Sequence, residues 1–281
     1  MQAMVCLPRP SRGFGVLLAL ILAALAVAPT AGQERQLNQG HPVRLDDAFP
    51  LVEGGATVLA AGTFRLQGQG SNRGVFPLDA QYVILPDLQI SIGTVLTTEP
   101  HDTSDPSSGD LNVAGRVALG RQTDLLPVMA LQLGTTLPTG LNSRATDVEL
   151  KGLATRSLTL GLLPVFLHLN TAAEFRTTNR RSDERLARYH LVTGLSFTIP
   201  QQATTTLVAD IFADQAVQRG GRPTVGVEAG LRHRLAPRVA IGAALGSEFA
   251  GPGARAPLYA TVGISVDFDV PVFRKAPSGG D

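Results

Sequence analysis

The chain has 281 residues, of which 44% are hydrophobic and only 17% charged, with 30 Gly, 19 Pro, one Cys and no Trp. A soluble domain carries about 25% charged residues, so this composition points to a surface that does not all face water. A formal charge of +1 without Lys/Arg runs leaves no electrostatic footprint for nucleic acid, which is therefore not an expected partner.

Arg9 and Arg12 precede an apolar run from Val16 to Val27, which is followed by the small residues Ala28, Thr30, Ala31 and Gly32. A charged start, a short apolar core and a small-residue exit make residues 1–32 a predicted signal peptide. The run falls short of the ~20 apolar residues of a spanning helix. Cys6 lies before the apolar core and would leave with the signal, so the exported chain needs no disulfide. Residues 33–56 are polar, lack either period, and read as a periplasmic lead-in able to fold back as a plug. Residues 57–270 form the predicted body and 271–281 a polar C-terminal tail.

From Thr57 onward, segments of about ten residues alternate apolar and polar, separated by turn-forming clusters. The spacing predicts strands near 57–67, with ambiguous facing, and then near 75–84, 88–97, 111–120, 126–137, 147–156, 163–176, 188–199, 204–214, 224–235, 239–249 and 257–270. The last is the clearest: Leu258, Ala260, Val262, Ile264, Val266 and Phe268 alternate with Tyr259, Thr261, Gly263, Ser265 and Asp267. Such a ribbon suits a soluble sandwich or a membrane barrel equally well.

The connections decide between them. Those near 68–74, 98–110, 138–146, 177–187, 215–223 and 250–256 are long, whereas Pro86-Asp87, Arg121–Asp124, Ser157–Gly161, Pro200–Ala203 and Ala236–Arg238 are short. A sandwich has no reason to collect its long loops at one end; outer-membrane barrels do, with short periplasmic turns and an even strand count. The expected fold is therefore an all-β, antiparallel transmembrane outer-membrane barrel of about 12 strands, with both termini periplasmic and membrane lipid around it. On the apolar face, Phe76, Phe175, Tyr189 and Phe249 fall at one end of the strands, and Tyr82, Phe197 and Phe268 at the other, as two interfacial girdles.

With this layout, residues Leu45–Val270 resemble the bacterial family of outer-membrane proteins named for the MetA pathway of phenol degradation, often labelled transporters. The resemblance rests on Asp46-Asp47-Ala48 followed by Gly54-Gly55, on Pro77-Leu78 to Tyr82 before a tight turn, on Gly109-Asp110-Leu111 opening a strand, and on Leu137-Pro138-Thr139-Gly140 closing the next. It implies an outer-membrane barrel that passes small hydrophobic or aromatic solutes, and it supplies no catalytic residues. Many such barrels end on an aromatic residue read by the barrel assembly machinery. Here Phe268 and Phe273 are followed by Arg274–Asp281, which moves that signal inward to Asp267–Phe273.

Asp79, Arg116, Glu149, Lys151, Glu174, Arg188, Asp210, Glu228, Arg232, Glu248 and Asp267 fall on the polar parity and are the candidate pore-lining residues. Arg176, Arg234 and Asp269 share that parity. An apolar core could not take so many charges, so this face lines a lumen, as a paired wall network or as a pore of mixed charge. Twelve strands lie between the side-chain-filled eight-stranded barrels and the open sixteen-stranded porins, so the lumen is expected to be narrow or blocked, with 98–110 as a candidate lid.

The function read from this is a channel or transporter for small solutes, with a closed structural or adhesive barrel as the alternative. A barrel lipase is the third reading: His168 and Ser196 would face each other if the strands near 163–176 and 188–199 form a hairpin, with Asp210 diagonal to them. No motif frames the serine, and no enzyme activity is expected. His41, His101 and His233 lack metal-ligand spacing, so neither metal nor cofactor is expected.

Overall fold

The computed structural model describes residues 43–49, 55–66, 73–98, 108–141, 143, 145–160, 163–177, 182–199, 204–251 and 258–269. The predicted signal peptide, most of the lead-in, residues 99–107 of the candidate lid and the C-terminal tail lie outside the described residues.

Twelve strands follow one another in chain order: β1 (Gly55–Leu66), β2 (Arg73–Leu85), β3 (Leu88–Thr97), β4 (Asp110–Ala118), β5 (Val128–Leu137), β6 (Asp147–Leu160), β7 (Leu163–Arg176), β8 (Ala187–Thr198), β9 (Thr205–Asp214), β10 (Thr224–Ala236), β11 (Val239–Ala250) and β12 (Leu258–Asp269). Each pairs antiparallel with its chain neighbour. β1 also pairs with β12, from Gly55 opposite Asp269 to Leu66 opposite Leu258, and this seam closes the barrel. Closure leaves no sheet edge with unpaired backbone groups, the condition for strands to cross lipid.

Side chains sort by parity. Val58, Phe64, Leu78, Ile90, Ile92, Val113, Leu131, Leu133, Leu150, Leu195, Ile211, Leu245, Val262 and Ile264 are large, apolar and exposed around the outside. A continuous apolar exterior of this extent is untenable in water and is the surface a bilayer covers. Both girdles face outward, and Phe64 joins the first by packing edge-on against Phe76 at 5.5 Å between centroids. The ambiguous facing of the first strand is resolved: Thr57, Thr63 and Arg65 point inward, where they meet Asp267, Thr261 and Glu248.

Two short connections differ from expectation. β6 continues from Ser157 to Leu160, placed in a turn by sequence, so that only residues 161 and 162 separate it from β7. Conversely, the connection placed at Arg121–Asp124 spans 119–127. The two departures are one structure. Gln122 accepts from the Ser157 amide and donates to its carbonyl, and Arg156 donates to the Asp124 carbonyl, so the lengthened turn is pinned over the lengthened strand.

Residues 43–49 lie inside the barrel. Val43 and Leu45 pack with Val192, Val208, Phe212, Ala244 and Tyr259. Ala48 and Phe49 pack with Val128, Ala130 and Leu153, and the Phe49 ring meets Phe166 edge-on at 6.2 Å. Phe166 lies near the start of β7, beside a short turn, whereas the partners of Val43 extend toward the long connections. The segment thus runs along the lumen instead of lying across its mouth.

Candidate functional site

All eleven predicted lumen residues lie on the inward face, and the structure gathers part of them around residues 43–49. Arg116, Asp210, Glu228, Arg232 and Glu248 are buried; the other six are half-buried.

Arg44 is the centre of the first group. Its guanidinium is hydrogen-bonded to Asp214, its Nε lies 3.3 Å from Glu228, and an Nη lies 4.0 Å from Glu248. Its backbone amide donates to Glu228 at 2.7 Å. The guanidinium carbon stands 3.8 Å from the centroid of the Phe212 ring, in cation–π contact. Tyr259 donates its hydroxyl to the other oxygen of Glu228, and Arg65 pairs with Glu248 at 3.1 Å. Asp210 stands opposite Glu228 across the β9–β10 ladder.

The strands make this possible by giving up side chains. A Cβ on Gly226 would come within 2.3 Å of the Phe212 ring, and one on Gly246 within 2.2 Å of the Tyr259 ring. These two glycines let both aromatic rings lie against the wall, Phe212 beneath Arg44 and Tyr259 beside Glu228.

Asp46 is the centre of the second group. It is hydrogen-bonded to Lys151 and lies 3.8 Å from Arg116, which also donates to Gln132 at 3.0 Å. The segment therefore holds an acidic wall through Arg44 and a basic wall through Asp46, two residues apart. Buried or half-buried ion pairs of this kind lock a geometry more reliably than they add stability, because desolvation offsets much of the attraction.

A third anchor is a relay of neutral groups. The Ala48 amide donates to the Thr155 hydroxyl at 2.9 Å; Thr155 meets His168 Nδ1 at 3.1 Å, and His168 Nε2 meets Ser196 Oγ at 2.9 Å. The serine and histidine thus come together, but diagonally, with His168 opposite Gly194 and Ser196 opposite Phe166 in the register, and Thr155 occupies the position a catalytic carboxylate would need. Asp210 lies diagonal to Ser196 on β9, opposite Gly194 and Glu228 in the strand registers, and makes no hydrogen bond to His168. Ser196 and His168 are only 1% and 2% exposed. The arrangement secures a backbone amide, and an acyl substrate has no approach to it.

The remaining predicted residues sit elsewhere on the wall. Glu174 pairs with Arg188 and lies 3.4 Å from His190, whose Nδ1 is 3.0 Å from Asp214, which ties this cluster to the Arg44 group. Glu149 stands beside Glu174 across β6–β7. Asp79 accepts from Gln81, and Asp267 from Thr57. Arg232 stands opposite Thr206. His233 meets Thr205 on the outer parity, and among the described residues no cluster of metal-ligating side chains occurs.

Arg44, Phe212, Tyr259, His190 and Asp214 were missed as site residues. Parity places the last four on the inner face, but nothing local marks Asp214 as the partner of Arg44, 170 positions away in the chain.

No family model matches the sequence, and no curated protein matches it. The fold is shared with solved outer-membrane barrels. The COG4313 outer membrane channel from Pseudomonas putida F1 superposes with a TM-score of 0.58 at 14% identity, over 80% of this chain and all of that one. NanC porin gives 0.55 at 11% identity over 74% of this chain and 98% of its own. KdgM porin gives 0.51 at 9% identity over 75% and 99%. At these identities the likeness is one of fold alone, that of outer-membrane barrels.

Proposed function

We propose that the protein is an outer-membrane channel for small solutes whose lumen is held closed by residues 43–49 and opens when that segment leaves. The observation that carries this reading is the double attachment of the segment, Arg44 to the acidic wall and Asp46 to Lys151 and Arg116. A permanent plug would be served as well by apolar packing alone; charge pairs facing a wettable lumen can be exchanged for water and ions at modest net cost. The likeness in fold to channels and porins supports the same reading.

The MetA-pathway resemblance extends it to hydrophobic or aromatic solutes, with membrane lipid and the barrel assembly machinery as partners and both termini on the periplasmic side. The close packing of Val43, Leu45, Ala48 and Phe49 favours the second reading, a barrel that stays shut and serves structure or adhesion. Single-channel recording separates the two. Refolded protein lacking residues 33–49 is expected to give stable conductance steps where the full chain gives few. A barrel that is silent in both forms overturns the channel.

A further inference from the structure

The place filled by the Arg44 side chain has the makings of a binding site. It offers a planar aromatic floor in Phe212, carboxylates from Asp214, Glu228 and Glu248 around the guanidinium edge, and two glycines that clear the space for the rings. Its partner set exceeds what Arg44 can use. Asp210 is 4% exposed, and no side chain donates a hydrogen bond to either of its oxygens. Glu248 is reached by Arg44 only at 4.0 Å. Three carboxylates thus lie within 4.0 Å of one guanidinium, with Asp210 opposite Glu228 in the ladder and Arg65 and His190 at the margins. When residues 43–49 leave, this wall keeps its acids and its aromatic face and loses its central cation. A cationic group of the same shape is then the species it attracts most strongly, by charge-assisted hydrogen bonds and ring contact together.

We propose that the Arg44 seat is a recognition site for small solutes bearing a guanidinium group, which take the place of the Arg44 side chain and so favour release of the segment. The release step rests on the channel reading above; the site itself does not. A planar guanidinium matches both the fork of carboxylates and the Phe212 face, whereas a hydrated alkali ion matches only the charge. The site therefore discriminates by shape as well as by sign.

The test uses the full chain refolded in detergent, with methylguanidinium as probe and potassium at equal ionic strength as control. R44A vacates the seat and is expected to bind methylguanidinium saturably by titration calorimetry. The parent chain should bind it about tenfold or more weakly, because its own arginine competes. Adding E228Q to R44A should lower affinity again by about tenfold. F212L in the R44A background removes the ring without touching a charge and should reduce the preference for methylguanidinium over potassium; gel mobility of unheated samples checks that each variant is folded. In planar bilayers, methylguanidinium should raise the open time of the parent chain where potassium does not. Folded R44A that binds methylguanidinium no better than potassium overturns the site. Binding to R44A together with a barrel that conducts in no salt upholds the site and overturns the channel reading instead.

Discussion

The wall built by β9, β10 and β11 presents Asp210, Asp214, Glu228 and Glu248 to the lumen, whereas β4 and β6 present Arg116 and Lys151 around Asp46. The difference sets the orientation of whatever lies between them. Residues 43–49 offer each wall its opposite charge, Arg44 to one and Asp46 to the other, so the segment has one favourable rotation about its own axis. Apolar contacts could be satisfied in several rotations; the charges select among them. The walls also differ in what they lose on release. The acidic wall loses Arg44 from Asp214 and Glu228, while the basic wall keeps Gln132 as a neutral partner for Arg116.

Removing both charges at once should have the largest effect. R44A/D46A is expected to turn a barrel with few conductance steps into one with frequent steps in planar bilayers, because only the packing of Val43, Leu45, Ala48 and Phe49 then holds the segment. An effect on the acidic wall alone comes next. E228Q leaves Arg44 with weaker partners and Tyr259 facing an amide, and breaking a buried pair on one side costs about 3 kcal/mol; urea unfolding of the refolded barrel in detergent should read this loss. S196A leaves His168 Nε2 without its 2.9 Å partner and should cost about 1–3 kcal/mol. Its conductance should match the parent's, since the relay touches the segment only through the Ala48 amide. The smallest effect is at Arg65, whose side chain is 37% exposed where it pairs with Glu248. R65A should cost less than ~1 kcal/mol, and salt should reduce that further.

The barrel was legible in the sequence because two solvents write a period of two into every strand. Strand three (Leu88–Thr97) and strand seven (Leu163–Arg176) match their predicted bounds, and the closing pair of β1 with β12 follows from the even count. Legibility failed where the local signal was ambiguous. Leu126 is apolar and reads as the start of a strand, yet it belongs to the turn 119–127, where it is 55% exposed. Ser157 is polar and reads as the start of a turn, yet it continues β6 because Gln122 meets it.

For the site, parity marked which charged residues face inward but not which of them meet. The pairing of Arg44 with Asp214 and Glu228 joins residues far apart in the chain through a segment with no period of its own. Phe212 and Tyr259 point inward by parity, but their role depends on Gly226 and Gly246 on neighbouring strands, a relation that only the register supplies.

In the proposed channel, opposite charges on the two walls hold residues 43–49 in place and thereby close the lumen. The most direct test is a charge exchange between Asp46 and Lys151, read as single-channel conductance of the refolded full chain. D46K sets a third positive charge beside Lys151 and Arg116 and should open the barrel; D46K/K151D restores an opposite-charge pair and should close it again toward the parent level. A D46K barrel as silent as the parent, or a double variant as open as D46K alone, would contradict the account.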